Sequence, residues 1–280
     1  MILYALDIAK KIKDKSKKEI EKKKLKILLS VILIGDNYAS KVYIKNKKIA
    51  CDYVGIDFKL FKLDENISQE KLLNLINNLN LDDKITGILV QLPLPDHIDK
   101  TIIMQNIDPK KDVDGFNPFN IGALILEKPK LIPCTALGIL ELIKFYNIKI
   151  SGTYCAVLGR SIDVGKPVAA LMLNANSTVA VCHSKTENLI EITRKSDIII
   201  SSIGKAKFIK KDFIKRNSVL IDVGINRDEN NKLCGDIDFD SCIEKAHSIS
   251  PVPKGVGAMT IAMLINNCIK AKLIQLNIIE

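Results

Sequence analysis

Three groups of residues in this 280-residue chain combine reactive side chains with spacings that chemistry uses. The first centres on a lysine. Tyr38 to Val54 reads as one amphipathic helix, and projection at about 100° per residue puts Lys41, Lys45, Lys48 and Asp52 on one solvated stripe. Lys47 falls elsewhere, beside Tyr43 and near Ser40, bordering an apolar face assigned to Val42, Ile49, Ala50 and Val54. A lysine against apolar surface loses hydration, which disfavours its charged form and suits it to proton transfer near neutral pH. The plainer alternative is a lysine that snorkels to water. The second group is Gly159-Arg-Ser-Ile-Asp-Val-Gly165-Lys-Pro167, which follows a strand pattern at Tyr154–Leu158 and opens a helix. It is not G-x-G-x-x-G, but glycines in this place let backbone N–H groups approach phosphates at a helix N-terminus. The third group ends the next strand, Val181-Cys-His-Ser184-Lys-Thr186. A site selective for NAD usually carries an acid there for the ribose 2′-hydroxyl. Here hydroxyl and cationic groups take its place, Arg160 is within reach in sequence, and a 2′-phosphate is favoured, so the expected cofactor is NADP. An ordinary cap for the helix that follows is the competing reading of His183 to Thr186.

These groups need elements to hold them. Helical and strand patterns alternate along the chain, which is the signature of an α/β architecture. A helix near 5–25, a strand at 27–34, the Lys47 helix, a short strand at 58–62, a helix capped by Ser68 and a buried strand at 87–91 come first. Leu92-Pro-Leu-Pro95 stops that strand. Residues 108–120 form a loop rich in breakers and carboxylates. Thr135 is expected to cap a helix to about Tyr146. A second βα series follows, with strands at 154–158, 178–182, 197–202 and 219–223, a Pro/Gly loop at 251–257 and a last apolar helix from about Met259. The division expected is a first domain over 1–130, joined by the terminal helix 258–280, and a second over 131–257.

Composition narrows the classes. Hydrophobic residues make up 47% and charged residues 26% of the chain, as in a soluble globular protein. No run is long and apolar enough for a membrane span, and the N-terminus lacks a signal-peptide layout, so no membrane role and a cytoplasmic location are expected. Seven cysteines at wide spacings without C-x-x-C, and three histidines, argue against a disulfide framework or metal site. The net charge of +10 raises nucleic-acid binding. However, the lysines are spread over amphipathic helices, Trp is absent, and the few aromatics do not interleave with a basic stripe, so no nucleic-acid partner is expected.

The motifs also occur as an ordered set. Ser40-x-x-Tyr43-x-x-x-Lys47, Val90-Gln-Leu-Pro-Leu-Pro95, Asp112-Val-Asp-Gly115, Pro133-Cys-Thr135, Gly159-Arg-Ser161 with Val164-Gly-Lys-Pro167, Cys182-His-Ser184, Asp222-Val-Gly-Ile-Asn226, Gly235-Asp236 and Pro251-Val-Pro-x-Gly-Val-Gly257 follow one another. Together they strongly resemble the bifunctional methylenetetrahydrofolate dehydrogenase/methenyltetrahydrofolate cyclohydrolase family. The resemblance implies two α/β domains flanking a cleft, the second a Rossmann-like dinucleotide-binding domain, and a homodimer formed through it. It implies NADP-dependent oxidation of 5,10-methylenetetrahydrofolate and hydrolysis of the 5,10-methenyl product to 10-formyltetrahydrofolate. It assigns Lys47 as the catalytic lysine, Tyr43 to pack on the folate, Gln91 to orient the lysine and Asp114 to hold the pterin. Ser40, Pro251, Gly255 and Gly257 are assigned to the folate site, and Gly159, Arg160, Ser161, Gly165, Ser184 and Ile225 to the cofactor. Read without the family, Asp112 and Asp114 are turn-forming residues before Gly115. Asp163, Lys254, Ala258 and Ala136 depart from the family pattern, the first beside the cofactor loop and the next two in the folate loop. A single-activity relative, or another two-domain NADP dehydrogenase of the shikimate dehydrogenase type, are the alternative readings.

Overall fold

The structure, a computed structural model, describes residues 1–279. It divides into two compact units, one comprising residues 10–134 and 261–280, the other residues 1–9 and 135–260.

In the first unit, α1 (Leu6–Lys23, which begins in the other unit) leads to β1 (Leu28–Ile34). Then come α2 (Tyr38–Val54), β2 (Asp57–Leu63), α3 (Gln69–Leu81), β3 (Gly87–Val90), α4 (Lys100–Asn106) and α5 (Pro118–Ile125). The three strands are parallel in the order β2-β1-β3. The continuous apolar run of β1 fits the central strand of such a sheet. Ile32, Leu72, Ile76, Ile88, Val90 and Ile103 pack into one core beside it. Local chemistry sets the helix ends: Asn37 caps α2 by accepting the Ser40 N–H at 3.1 Å, and Gly55 ends it at φ +84°.

The second unit follows α6 (Cys134–Phe145) with β4 (Tyr154–Leu158), α7 (Gly165–Asn174), β5 (Thr178–Cys182), α8 (Leu189–Lys195), β6 (Ile198–Ser201) and β7 (Val219–Asp222). A hairpin of β8 (Asn226–Arg227) and β9 (Leu233–Cys234), then α9 (Phe239–Cys242) and β10 (Ser248–Ile249), follow, and α10 (Val256–Gln275) begins in this unit and belongs to the first from residue 261. The main sheet is parallel, with order β10-β7-β6-β4-β5, a Rossmann-like doubly wound arrangement with β5 at one edge.

The structure changes several expectations. Val42 and Ile49 are 42% and 56% exposed, so they do not form the buried face of α2. That face is Ser40, Ile44, Lys47, Ala50, Cys51 and Val54, and Lys47 lies in its middle rather than on its border. Residues 108–120 are not all loop: Asn117 caps α5, and Pro118 occupies its first turn, where a missing N–H costs nothing. Helix α4, capped by Asp99, was not anticipated, nor were β8, β9, α9 and β10. Helix α6 starts at Cys134, so Thr135 lies inside its first turn and its hydroxyl meets Thr260 at 3.2 Å. The first nine residues belong with the second unit because the Leu3 N–H donates to the Ile249 carbonyl and the Ala5 N–H to that of Lys254, each at 2.9 Å.

Candidate active site

Helix α2 and the end of β3 build the first site. Strand β1 positions the end of β3 directly: the Gln91 N–H donates to the Ile32 carbonyl at 2.9 Å. The strand stops there, and the Gln91 side chain turns back on its neighbour, its Nε2 donating to the Leu92 carbonyl at 2.8 Å. That bond fixes which way the amide faces and presents Oε1. Lys47 Nζ donates to this oxygen at 2.9 Å. Ser40 Oγ donates to the same Leu92 carbonyl at 3.3 Å, tying the first turn of α2 to the strand end. Lys47 is only 7% exposed, whereas Lys41, Lys45 and Lys48 are exposed. Among the described residues its hydrogen bond goes to the Gln91 amide, in contrast to Lys48, which pairs with Asp52 at 2.7 Å. The alternative of a snorkelling lysine is thus replaced by a buried amine held by a neutral acceptor. Tyr43, one turn earlier, is half-buried, and burial pushes its phenol above the usual range.

Asp114 belongs to the same unit. It is half-buried, and its charge and that of Lys47 both bear on the thiols of Cys134 and Cys268. Burial holds both thiols well above their ordinary range, so they are inert beside the two charged groups. Asp114 projects from a turn whose other members are constrained. The Asp112 carboxylate accepts the Gly115 N–H at 3.0 Å, the Asn117 N–H at 2.7 Å and Asn120 Nδ2 at 2.9 Å. Asp112 is therefore the turn-former, as its sequence suggests. Desolvation is the largest influence on its carboxyl and pushes it up to about 6.

The second unit carries the dinucleotide loop. Gly159 follows β4 at φ +113°, a backbone conformation L side chains rarely adopt, and a Cβ there would lie 2.6 Å from Ser202 Oγ. A Cβ on Gly165 would overlap the Gly159 carbonyl. Both glycines are required for the loop to turn this tightly into α7. Ser161 Oγ accepts the Val164 and Gly165 N–H groups at 3.2 and 3.4 Å, and its own proton remains a donor. Val164 occupies the capping position of α7, so Asp163 is not the cap. Arg160, Ser161, Ser184 and Lys185 are exposed, and Ile225 is 52% exposed. After β5, Thr186 Oγ1 accepts the His183 N–H at 2.8 Å, so the hydroxyl and cationic residues form a closed turn in addition to whatever they bind. A tight glycine turn, a ten-residue helix N-terminus, a guanidinium and hydroxyl donors fit the phosphates of a dinucleotide.

Two residues important to this unit had no role in the sequence reading. Asp222 ends β7 and accepts the N–H groups of Gly224, Asp236 and Ile237 at 3.0, 2.9 and 2.9 Å. Asp236 accepts Ser201 Oγ, the Ile203 and Lys205 N–H groups and Asn226 Nδ2 at 2.7–3.1 Å. They hold the segment that exposes Ile225. In the structure each carboxylate packs on a glycine whose Cβ would strike it, Asp222 on Gly235 and Asp236 on Gly224. The loop Pro251–Gly257 also belongs to this unit. Pro251 is half-buried, Gly257 is exposed and Gly255 is buried with no room for a Cβ against the Pro251 carbonyl. Lys254 is exposed at φ +81°, a conformation better suited to glycine. Among the described residues, no group of three or more His, Cys, Asp or Glu side chains is arranged to hold a metal ion, and no helix is long and apolar enough to cross a membrane.

Known proteins match both units. Sequence models for the catalytic domain and the NAD(P)-binding domain of tetrahydrofolate dehydrogenase/cyclohydrolase match residues 3–114 and 133–276. Proteins named bifunctional protein FolD from Lachnoclostridium phytofermentans and Acetivibrio thermocellus are 52% and 49% identical, over 96% and 98% of this chain and 96% and 97% of theirs. The crystal structure of the bifunctional FolD methylenetetrahydrofolate dehydrogenase/cyclohydrolase from Campylobacter jejuni superposes with TM-score 0.94 at 45% identity, covering 97% of this chain and 98% of that one. The Trypanosoma brucei methylenetetrahydrofolate dehydrogenase-cyclohydrolase, complexed with NADP cofactor and inhibitor, gives 0.93 at 33% identity, covering 99% and 98%. A shikimate dehydrogenase from Thermus thermophilus, covering 88% of this chain and 99% of its own, shares the fold alone, at TM-score 0.54 and 13% identity. With a buried lysine held by Gln91 in one unit, a glycine-built dinucleotide turn in the other, and relatives matching across nearly the whole chain, this chain belongs to the tetrahydrofolate dehydrogenase/cyclohydrolase family.

Proposed function

We propose that the chain is a bifunctional enzyme that oxidises 5,10-methylenetetrahydrofolate with NADP and hydrolyses the 5,10-methenyl cation to 10-formyltetrahydrofolate. The observation that carries this reading is the buried Lys47 amine held by Gln91. It gives the hydrolytic half a proton-transfer group, which a dehydrogenase alone does not require.

Bound in the second unit, NADP would supply the acceptor for the hydride of the methylene carbon. Gly159, Arg160, Ser161, Gly165, Ser184 and Ile225 are the residues assigned to hold it, with Arg160 and Ser184 reading the 2′-phosphate. The chain's work on the folate is positioning and proton movement. Asp114 accepts hydrogen bonds from the pterin N–H groups, while Tyr43 packs on the ring and Ser40 borders it. In hydrolysis, water bonds to the cationic carbon and gives up a proton, with Lys47 Nζ as the acceptor. The bond from that carbon to N5 then breaks as the added hydroxyl gives up its proton and becomes the formyl C=O, and N5 takes up a proton, so that one proton is released overall. Gln91 Oε1 holds Nζ in place through both transfers. Exposed Val181 on edge strand β5 and exposed Leu173 on α7 support a homodimer formed through the second unit. Seven buried free thiols are compatible with the reducing cytoplasm, where we assign the enzyme.

The test is a paired assay on the purified protein. NADPH should form from methylenetetrahydrofolate, and methenyltetrahydrofolate absorbance should decay faster than the uncatalysed rate. NADP should give a kcat/KM at least about tenfold above that of NAD, the scale of one charge-assisted hydrogen bond. Equal values would overturn the roles given to Arg160 and Ser184. Absence of accelerated decay would leave a dehydrogenase only.

A further inference from the structure

Asp114 itself is one member of a turn that is held from two sides. On one side lies the Asp112 carboxylate, only 1% exposed, with three donors: the Gly115 N–H, the Asn117 N–H and Asn120 Nδ2. On the other lies Asn267 of α10, fully buried, whose Nδ2 donates to the Val113 carbonyl at 2.9 Å and to the Ile132 carbonyl at 2.8 Å. Gly115, at φ +80°, packs so closely on the 132–133 peptide that a Cβ would lie 2.6 Å from Pro133 N. The residues on both sides of Asp114 are therefore pinned, one through its carbonyl and the next through its N–H. Burying a carboxylate and an amide is costly, and an apolar replacement of similar volume often serves stability as well or better. What polar groups supply here is direction, since one bond from each side fixes a backbone atom flanking Asp114, the Gly115 N–H and the Val113 carbonyl.

We infer that Asp112 and Asn267 are positioning residues for Asp114, fixing the backbone from which it projects and thereby the strength with which the folate ring is held. The inference rests on the assignment of Asp114 to the pterin. Neither residue touches the reacting atoms, so their loss should weaken folate binding and spare the proton transfers at Lys47. A carboxylate displaced by a fraction of an ångström forfeits most of a directional hydrogen bond.

The experiment compares Asp112→Asn, Asn267→Leu, Asp114→Asn and the double variant Asp112→Asn/Asp114→Asn in both assays, with circular dichroism as a check of folding. Asp112→Asn turns an amide nitrogen toward donors, while Asn267→Leu keeps volume and leaves the Asp112 bonds in place, so it serves if the first variant does not fold. Each single variant should raise the folate KM about tenfold in both reactions, with kcat and the NADP KM within about twofold of wild type. In the Asp114→Asn background, Asp112→Asn should add no further rise, because it acts through a group already lost. An unchanged folate KM in a folded Asp112→Asn or Asn267→Leu protein, or effects that multiply in the double variant, would overturn the inference. If Asp114→Asn alone leaves the folate KM unchanged, the fault lies in the assignment of Asp114 to the pterin.

Discussion

At the scale of single residues, the site depends on what is withheld from Lys47. The surface lysines of α2 have carboxylate partners, Lys41 with Asp36 and Lys48 with Asp52, or face water. Lys47 has a neutral amide oxygen instead. Gln91 orients Nζ through a hydrogen bond and adds no charge beside it. Gln91→Leu removes the acceptor and leaves Nζ buried beside a carbon chain. The variant should lose about 1–3 kcal/mol of stability, the cost of an unmet buried donor, and its cyclohydrolase rate should fall by at least about tenfold. Chemical denaturation and the methenyltetrahydrofolate decay assay measure the two effects. A variant as stable and as fast as wild type would show that the hydrogen bond orients nothing.

At the scale of elements, α2 shows what the sequence made legible and what it did not. Its span and its solvated lysine stripe follow from periodicity, whereas its ends, the Asn37 cap and Gly55, carry no period and came only with the structure. Its buried face does not follow either, because hydropathy ranked Val42 and Ile49 above Ser40 and Lys47, and packing reversed that order to bring polar groups to a site. The buried inner strands were legible as continuous apolar runs, as in Leu28–Ile34. Short elements such as α4 and β10 carry too few residues to show a period, and α5 was hidden behind the breakers Asn117 and Pro118, which start a helix as readily as they interrupt one. The Gly159–Gly165 loop was legible as a tight glycine turn opening a helix, whereas the carboxylates of Asp222 and Asp236 were not, since their bonds cross the unit from β7 to the segment after β9. The loop also makes a prediction. In Gly165→Ala the added Cβ meets the Gly159 carbonyl, so dehydrogenase activity and NADP binding should fall at least about tenfold, with a stability cost of about 1–3 kcal/mol. Cyclohydrolase activity, which needs no hydride acceptor, should stay within about threefold. Titration with NADP followed by calorimetry, beside the two assays, separates the outcomes, and equal loss of both activities would count against the division of labour between the units.

At the scale of the whole molecule, buried carboxylates set the pH dependence of stability. Burial raises Asp112 to about 6 and Asp222 to about 7, above the usual carboxylate range. Between about pH 4 and these values the folded chain binds protons that the unfolded chain has released, so stability falls as pH rises through that window, by a few kcal/mol at most. Asp197, held low first by the Lys215 ammonium, and Asp228, held low first by the Lys232 N–H, act the other way, and their contribution is lost only as pH falls below about 4. The thermal midpoint should therefore decline from pH 5 to pH 8, and a midpoint that rises across that range would contradict the burial argument. The central claim, that one chain carries two reactions and that a single buried amine serves the hydrolytic one, is tested most directly with Lys47→Met. Methionine keeps the apolar stem and removes Nζ, so the fold and NADP binding should be retained. The measurement is the rate of methenyltetrahydrofolate hydrolysis by the folded variant. A fall of at least about a hundredfold, the scale of general acid–base catalysis, is the predicted result, and hydrolysis at the wild-type rate would contradict the account.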